Sequence, residues 1–115
     1  MSTPSSPPLL ADALPHLANE LEELLNEQHE FQLAAQVPNL KIVERCRCGD
    51  DFCATFYTQA KPKVNYAPDH RPDHRNVVLR PQKGFLILDV LDGKITCVEV
   101  LYRDEIRREL HVLLP

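Results

Sequence analysis

Leu14, Leu17, Leu21, Leu24 and Leu25 recur at the spacing of one helical face, while Glu20, Glu22, Glu23 and Glu27 fill other positions of the wheel. The pattern predicts an amphipathic helix of about four turns. Asp12 is a suitable N-cap, and Pro15 is tolerated in a first turn, where a missing N–H costs little. A weaker helical stretch, from Glu30 to Gln36, carries Phe31, Ala34 and Ala35 and is stopped by Pro38 and Asn39. Beyond Pro38 the period changes. Residues 40–47 and 52–58 read as strands around the turn "GDD", and residues 76–80 as a short third strand. Residues 85–91 and 94–102 flank Asp92 and Gly93. Asp-Gly between two such runs signals a hairpin, because a type I′ turn requires positive φ. The final "RDEIRRELHVLL" predicts a short helix with Ile106 and Leu110 on one face. This order gives an α+β domain: an N-terminal amphipathic helix, an antiparallel sheet of about five strands built from two hairpins, and a short C-terminal helix.

Where the paired strands bury their side chains follows from the turn. A two-residue turn at Asp92-Gly93 sets Val90 against Ile95, Leu88 against Cys97 and Leu86 against Glu99 on one face. The other face then pairs Ile87 with Val98 and Phe85 with Val100. Both faces carry large apolar pairs, whereas a sheet wet on one side alternates more cleanly. Something is expected to cover the second face: the C-terminal helix, the curl of the first hairpin, or a second copy of the chain in a homodimer.

Length and composition narrow the class. With 115 residues there is room for one core, expected over residues 11–115, and the Ser- and Pro-rich residues 1–10 read as a disordered tail. The net charge is −4, and no basic patch with interleaved aromatics occurs, so nucleic acid is not an expected partner. Apolar runs are too short to span a bilayer, so no membrane partner is expected either. "MSTPSSPPLL" lacks the basic and apolar regions of a signal peptide. The expectation is a cytoplasmic protein whose thiols stay reduced.

Those thiols are the candidate chemistry. In "IVERCRCGDDFCATFYT", Cys46, Cys48 and Cys53 fall close together, and their arrangement depends on strand register. With "GDD" as a three-residue loop, Cys48 opposes Phe52. Cys46 and Cys48 then join Ile42, Phe52, Ala54 and Phe56 on an inner face, and Cys53 faces outward beside Arg45 and Arg47. With "DD" as a two-residue loop, or "GDDF" as a four-residue one, Cys48 opposes Cys53 and all three thiols share a face with Glu44 and Thr55. Burial of the aromatic rings, worth about 2 kcal/mol each, favours the first register. The second offers zinc ligation by Cys46, Cys48 and Cys53, with Cys97 or a histidine as the fourth donor, although C-x-C followed by x4-C departs from the usual knuckle spacing. It also offers a Cys48–Cys53 disulfide, which a reducing compartment opposes. The two arginines beside Cys53 are the best argument for thiol catalysis, yet no partner base is evident.

Other motifs are weak. "PDHR" occurs twice, at 68–71 and 72–75, within the long loop after the second strand. His70 and His74 are four apart, but that spacing aligns ligands only on a helix, and Pro72 stands between them. The repeat reads as a tolerated loop insertion. No Gly-rich phosphate loop, G-x-S-x-G or H-E-x-x-H is present.

"RCRCGDDFCATFYT" followed by "LILDVLDGKITCVEVLYR" resembles a group of small uncharacterised bacterial proteins, in which a C-x-C-G hairpin with a third cysteine precedes a hairpin ending in an apolar "VEVL"-like strand. The likeness covers residues 40–58 and 84–103; it implies an α+β fold and a bacterial cytoplasmic origin, and assigns no catalytic residue. The "PDHR" duplication departs from that pattern. Two functional classes follow: a non-enzymatic interaction or regulatory module with a protein partner and no cofactor, or a zinc- or thiol-dependent protein using the cysteine cluster.

Overall fold

A computed structural model describes residues 6–60 and 73–115. The helical half comprises α1 (Leu10–Ala13), α2 (Pro15–Glu27), α3 (Phe31–Ala34) and a 3-10 turn at Val37–Asn39. Strands β1 (Glu44–Arg45), β2 (Phe56–Tyr57), β3 (His74–Val78), β4 (Phe85–Leu91) and β5 (Lys94–Leu101) form one antiparallel sheet in the order β1-β2-β5-β4-β3, and α4 (Asp104–Leu113) follows. The protein is thus α+β. Leu17, Leu21 and Leu25 of α2, Ile106 and Leu110 of α4, and Phe56, Leu86, Leu88, Val98 and Val100 of the sheet belong to one buried cluster. The helices therefore share the sheet's inner side.

Several boundaries move from their sequence positions: the first two strands shorten to two residues each, and the third runs over His74–Val78. Asp12 makes no side-chain cap; the chain breaks at Leu14 (φ −133, ψ 66), and α2 begins at Pro15, whose ring suits a first helical position. Residues 8–10 also take part in the fold. The Pro8 carbonyl accepts from the Ile42 N–H at 2.9 Å, the Leu10 N–H donates to the Leu40 carbonyl at 2.8 Å, and the Leu10 side chain is fully buried. Residues 40–42 thus pair with the N-terminal segment rather than with β2. Most of the "PDHR" loop, His70 included, lies outside the described residues, whereas His74 opens β3.

The β4–β5 hairpin forms at Asp92-Gly93, with φ of 54 and 76 as a type I′ turn requires. Its register departs from a plain two-residue count. Val90 opposes Ile95, but the ladder then shifts at Asp89/Val90, so that Asp89 opposes Cys97, Leu88 opposes Val98, Ile87 opposes Glu99 and Leu86 opposes Val100. Thr96 is the extra residue of this bulge, and its hydroxyl donates to the Asp89 carbonyl at 3.2 Å. The expected pairs Phe85–Val100 and Ile87–Val98 do not form. Val98 and Val100 turn inward with Leu86 and Leu88, all fully buried, and the other face receives Cys97 and Glu99. The sheet has one apolar face, and the pairing that called for a second covered face is absent.

Ion pairs tie the helices to the strands. Arg103, just before α4, donates to both Glu20 carboxylate oxygens at 3.0 and 2.9 Å and to Glu105 at 2.7 Å. Arg75 of β3 grips Glu30 in the same two-pronged way, at 3.0 Å for each bond.

Gly84, at the entry to β4, has φ +71, and a Cβ there would lie 2.5 Å from the Leu101 carbonyl oxygen and 2.9 Å from the Arg103 side chain. Gly84→Ala is expected to destabilise by about 2–4 kcal/mol, since backbone strain adds to a clash with backbone. Gly93→Ala meets nothing within 4 Å and is expected to lose only about 1–2 kcal/mol from its positive φ. Urea unfolding of both variants checks the difference; equal losses would contradict the close approach at Gly84.

Candidate metal centre

Strand β1 settles the question of register. Glu44 opposes Tyr57 and Arg45 opposes Phe56, and the Cys46 N–H donates to the Thr55 carbonyl at 2.8 Å. Continuing that count beyond Cys46 sets Cys48 across from Cys53, the register expected of either the two-residue or the four-residue loop. The Sγ atoms of Cys46, Cys48 and Cys53 all lie within 4.8 Å of one another. Cys48 is exposed, and Cys46 and Cys53 are half-buried. The expectation that Cys46 and Cys48 pack in the core is therefore overturned.

The physical reason lies at Ile42. Burying Ile42 together with Phe56 had favoured the three-residue loop. Ile42 is indeed fully buried, but its N–H bonds to Pro8, outside the β1–β2 ladder. Phe56 is fully buried in any case, because β2 pairs with β5 on its far side and sets Phe56 beside Val98. With both aromatic and aliphatic burial met elsewhere, nothing apolar opposes the register that gathers the thiols.

Alternation then separates the "RCRC" residues. Arg45 donates through Nε to the Leu114 carbonyl, and Arg47 donates to the Pro115 carbonyl at 3.0 Å and to Glu44 at 2.9 Å. The arginines hold the end of the α4 segment against β1, so the expected arginine field around Cys53 is not what acts on that thiol. Hydrogen bonds act instead. Burial alone would raise the Cys53 thiol. The Thr55 hydroxyl and N–H, and the Cys48 and Cys46 thiols, donate to its sulfur and bring it below the ordinary cysteine value. Cys48 is the converse. The Asp50 N–H favours its thiolate, but donation to Cys53, lost hydration and contact with Cys46 push it up to about 11. Within the trio, Cys53 is thus the natural acceptor and Cys48 a donor.

The next strand carries the surroundings. Tyr57, hydrogen-bonded to Cys46, is pushed up to about 12, first by burial and then by the sulfurs of Cys46, Cys97 and Cys53. Cys97 opposes Tyr57 and is buried; burial, then Asp89 and Glu99, raise its thiol strongly. It is not one of the three clustered sulfurs. His74 stands 4.0 Å from Asp89, which also accepts from Asn76 at 2.9 Å, and neither His74 nor Asp89 joins the trio. Thr55 stands on the thiols' face as the second register requires, whereas Tyr57 is the contributor that sequence reasoning passed over, although its alternation with Cys53 along one strand already marked a shared face. A ladder of rings was missed outright. Phe52 stacks on Tyr102 at 5.2 Å, and Tyr102 meets Phe85 edge-on at 5.8 Å. It borders the trio, because Cys53 bridges to Leu101.

The donor set fits a soft metal ion. Tetrahedral zinc with bonds of about 2.3 Å holds its sulfurs about 3.8 Å apart. Sulfurs already within 4.8 Å reach that spacing by small side-chain rotations. Comparisons with protein-family models, with curated proteins and with solved structures give no match for this chain. Among the described residues, no helix is long and apolar enough to cross a membrane.

Glu99 is raised by burial and by Asp89, so folding is disfavoured when it ionises. That penalty is absent below the unfolded carboxyl range and grows as pH rises through the raised folded value, so this group's contribution to stability falls with rising pH. Glu99→Gln is expected to raise Tm by a few degrees at neutral pH and to leave it unchanged near about pH 3, where the native carboxyl is protonated. Calorimetry at both pH values checks this; equal shifts would mean that packing, not charge, sets the effect.

Proposed function

We propose that this protein binds a thiolate-seeking metal ion, zinc foremost, through Cys46, Cys48 and Cys53. The observation that carries the reading is the mutual approach of the three Sγ atoms within 4.8 Å, with Cys48 at the surface. An all-sulfur donor set selects zinc or copper(I) over hard cations. Three protein donors at an exposed rim leave a fourth position to a water or to a donor from another molecule, as in open rather than closed zinc sites. A reducing, cytoplasmic setting keeps the donors competent.

Folding gives the site a second use. β1 and β2 are each two residues long, a ladder too short to hold itself. A metal joining Cys46 and Cys48 on one strand to Cys53 on the other would clasp that ladder, so binding free energy becomes folding free energy. The interaction-module reading retains one specific support. Phe85 and Tyr102 are 53% and 54% exposed beside the trio, a surface on which a protein partner can rest while supplying the fourth ligand.

The test is metal content and affinity. Purified protein is expected to carry or take up one zinc per chain by mass spectrometry, with a matching rise in Tm. Cys46→Ser, Cys48→Ser and Cys53→Ser should each lose it, and Cys97→Ser should keep it. Apparent affinity should rise with pH, because binding must expel thiol protons, the Cys48 proton being the hardest to remove. A wild-type protein that takes up no thiophilic metal, or a Cys97→Ser variant that loses it as completely as the others, would defeat the reading.

A further inference from the structure

We infer that the trio is also a redox-modification site, in which a peroxide joins Cys48 to Cys53 as a disulfide and thereby expels the metal. The disulfide half stands on geometry alone; the expulsion half rests on the metal-binding reading above.

Geometry selects the pair. Cys46 and Cys48 sit two apart on one chain segment, so at about 3.3 Å per extended residue their Cα atoms are about 6.6 Å apart. That is the outer limit of what a disulfide spans, and the two side chains run parallel rather than toward each other. Cys46 and Cys53 are diagonal neighbours, because Cys46 bonds across to Thr55. Diagonal positions lie about 7–8 Å apart, beyond the usual disulfide range. If the count set by Arg45↔Phe56 and by the Cys46 N–H to Thr55 carbonyl bond is carried on beyond Cys46, Cys48 and Cys53 face each other, and facing residues stand roughly 4.5–5.5 Å apart, inside that range. Between them the chain turns tightly: the Cys53 N–H donates to the Asp50 carbonyl at 3.3 Å, and Gly49 adopts φ 85. Their sulfurs are already within 4.8 Å, and both are free thiols. Cys48 is exposed, which gives a small oxidant access.

The reaction balances with hydrogen peroxide as oxidant. One sulfur of the pair, as thiolate, attacks one peroxide oxygen; an S–O bond forms, the O–O bond breaks, and hydroxide leaves to become water with a proton from that thiol in the metal-free protein or from solvent when zinc held the sulfur as thiolate. The other sulfur then attacks the sulfenic sulfur; the S–S bond forms, the S–O bond breaks, and a second water leaves with a second proton of the same origin. The two sulfurs lose two electrons and the peroxide gains two. Zinc changes neither charge nor oxidation state. It departs because Cys46 is then the last thiolate of the three. A thiol reductant reverses the step by exchange and restores the site.

The experiment treats zinc-loaded and metal-free protein with near-stoichiometric hydrogen peroxide. Disulfides are mapped by peptide mass spectrometry after alkylation, and zinc release is followed with a chromogenic chelator. The expected result is a Cys48–Cys53 disulfide within one chain, zinc released in step with it, and zinc affinity lowered by more than about 100-fold, beyond the loss from a merely outer hydrogen-bond partner. Dithiothreitol should restore both. Cys46→Ser should form the same disulfide, because its missing sulfur takes no part, and Cys97→Ser should behave as wild type. Failure of metal-free Cys46→Ser to form the bond, or mapping to Cys46 instead, overturns the inference. So does zinc that stays bound after the disulfide has formed. If the bond forms but the wild type never binds zinc, the metal reading falls while the modification site stands.

Discussion

Along an antiparallel pair each side chain's face is set by counting in twos, so one extra residue reverses every assignment beyond it. In this sheet that residue is Thr96. Between the Asp92-Gly93 turn and the bulge, Val90 and Ile95 share the inner face as simple pairing requires. Past the bulge, β5 presents Val98 and Val100 inward and Cys97, Glu99 and Leu101 outward. β5 is the central strand, and β2 takes its register from it: Phe56 beside Val98, Tyr57 beside Cys97. β1 in turn takes its register from β2. Which face carries the thiols is therefore decided two strands away, by a bulge held by the Thr96 hydroxyl on the Asp89 carbonyl. Gln36 steadies the same corner from the helical layer, donating to the Gly93 carbonyl at 2.7 Å and accepting from the Ile95 N–H at 3.0 Å.

Given that parity, the two faces divide the work. The inner face and all four helices make one core, and the charged residues that cross between layers do so at its edges: Arg103 to Glu20, Arg75 to Glu30, Arg45 and Arg47 to the carbonyls after α4. These pairs are partly exposed, so each adds modestly to stability, and their larger effect is to fix orientation. For β1 that orientation matters most. It is a two-residue edge strand, and alternation in "RCRC" lets its arginines hold a helix end while its cysteines face away. The same alternation explains why the arginines do not activate Cys53, whose thiolate is favoured by Thr55 and by its fellow thiols instead.

Much of the fold was legible because its signals are local. Asp92-Gly93 demands a particular turn, and Leu17, Leu21 and Leu25 can share one face only on a helix. Pro15 marks where α2 begins, although Leu10, the first residue of α1, fell in a stretch that composition alone reads as a tail. The site was legible as a set of residues and illegible as an arrangement. Choosing a register for Cys46, Cys48 and Cys53 by burying Ile42 together with Phe52 and Phe56 assumed that the first hairpin must meet its own burial. Ile42 is buried where its N–H pairs with the Pro8 carbonyl, and Val98 lies beside Phe56, so the deciding pairings came from segments distant in sequence. A bulge such as that at Thr96 has no sharp sequence mark, and threonine is an ordinary strand residue.

The thiol trio sits where the sheet is weakest, and the two facts are connected. A strand buried on one side and paired on both edges, as β5 is, has no freedom to move its side chains toward a ligand. β1 is paired on one edge only and for two residues, so its extension through Cys46 and Cys48 can adjust by the ångström or less that tetrahedral coordination asks. β2 beside it is anchored to β5 through Phe56 and Tyr57, which keeps Cys53 at a fixed reference position. One donor on the anchored side and two on the adaptable side allow closure around an ion without disturbing the core. The same asymmetry lets the pair across the turn close into a disulfide, since both outcomes need only that the "RCRC" edge moves toward β2. Stability held by the bulge and the inner face, and adaptability left to the outer edge, are in this way consequences of a single ordering of strands.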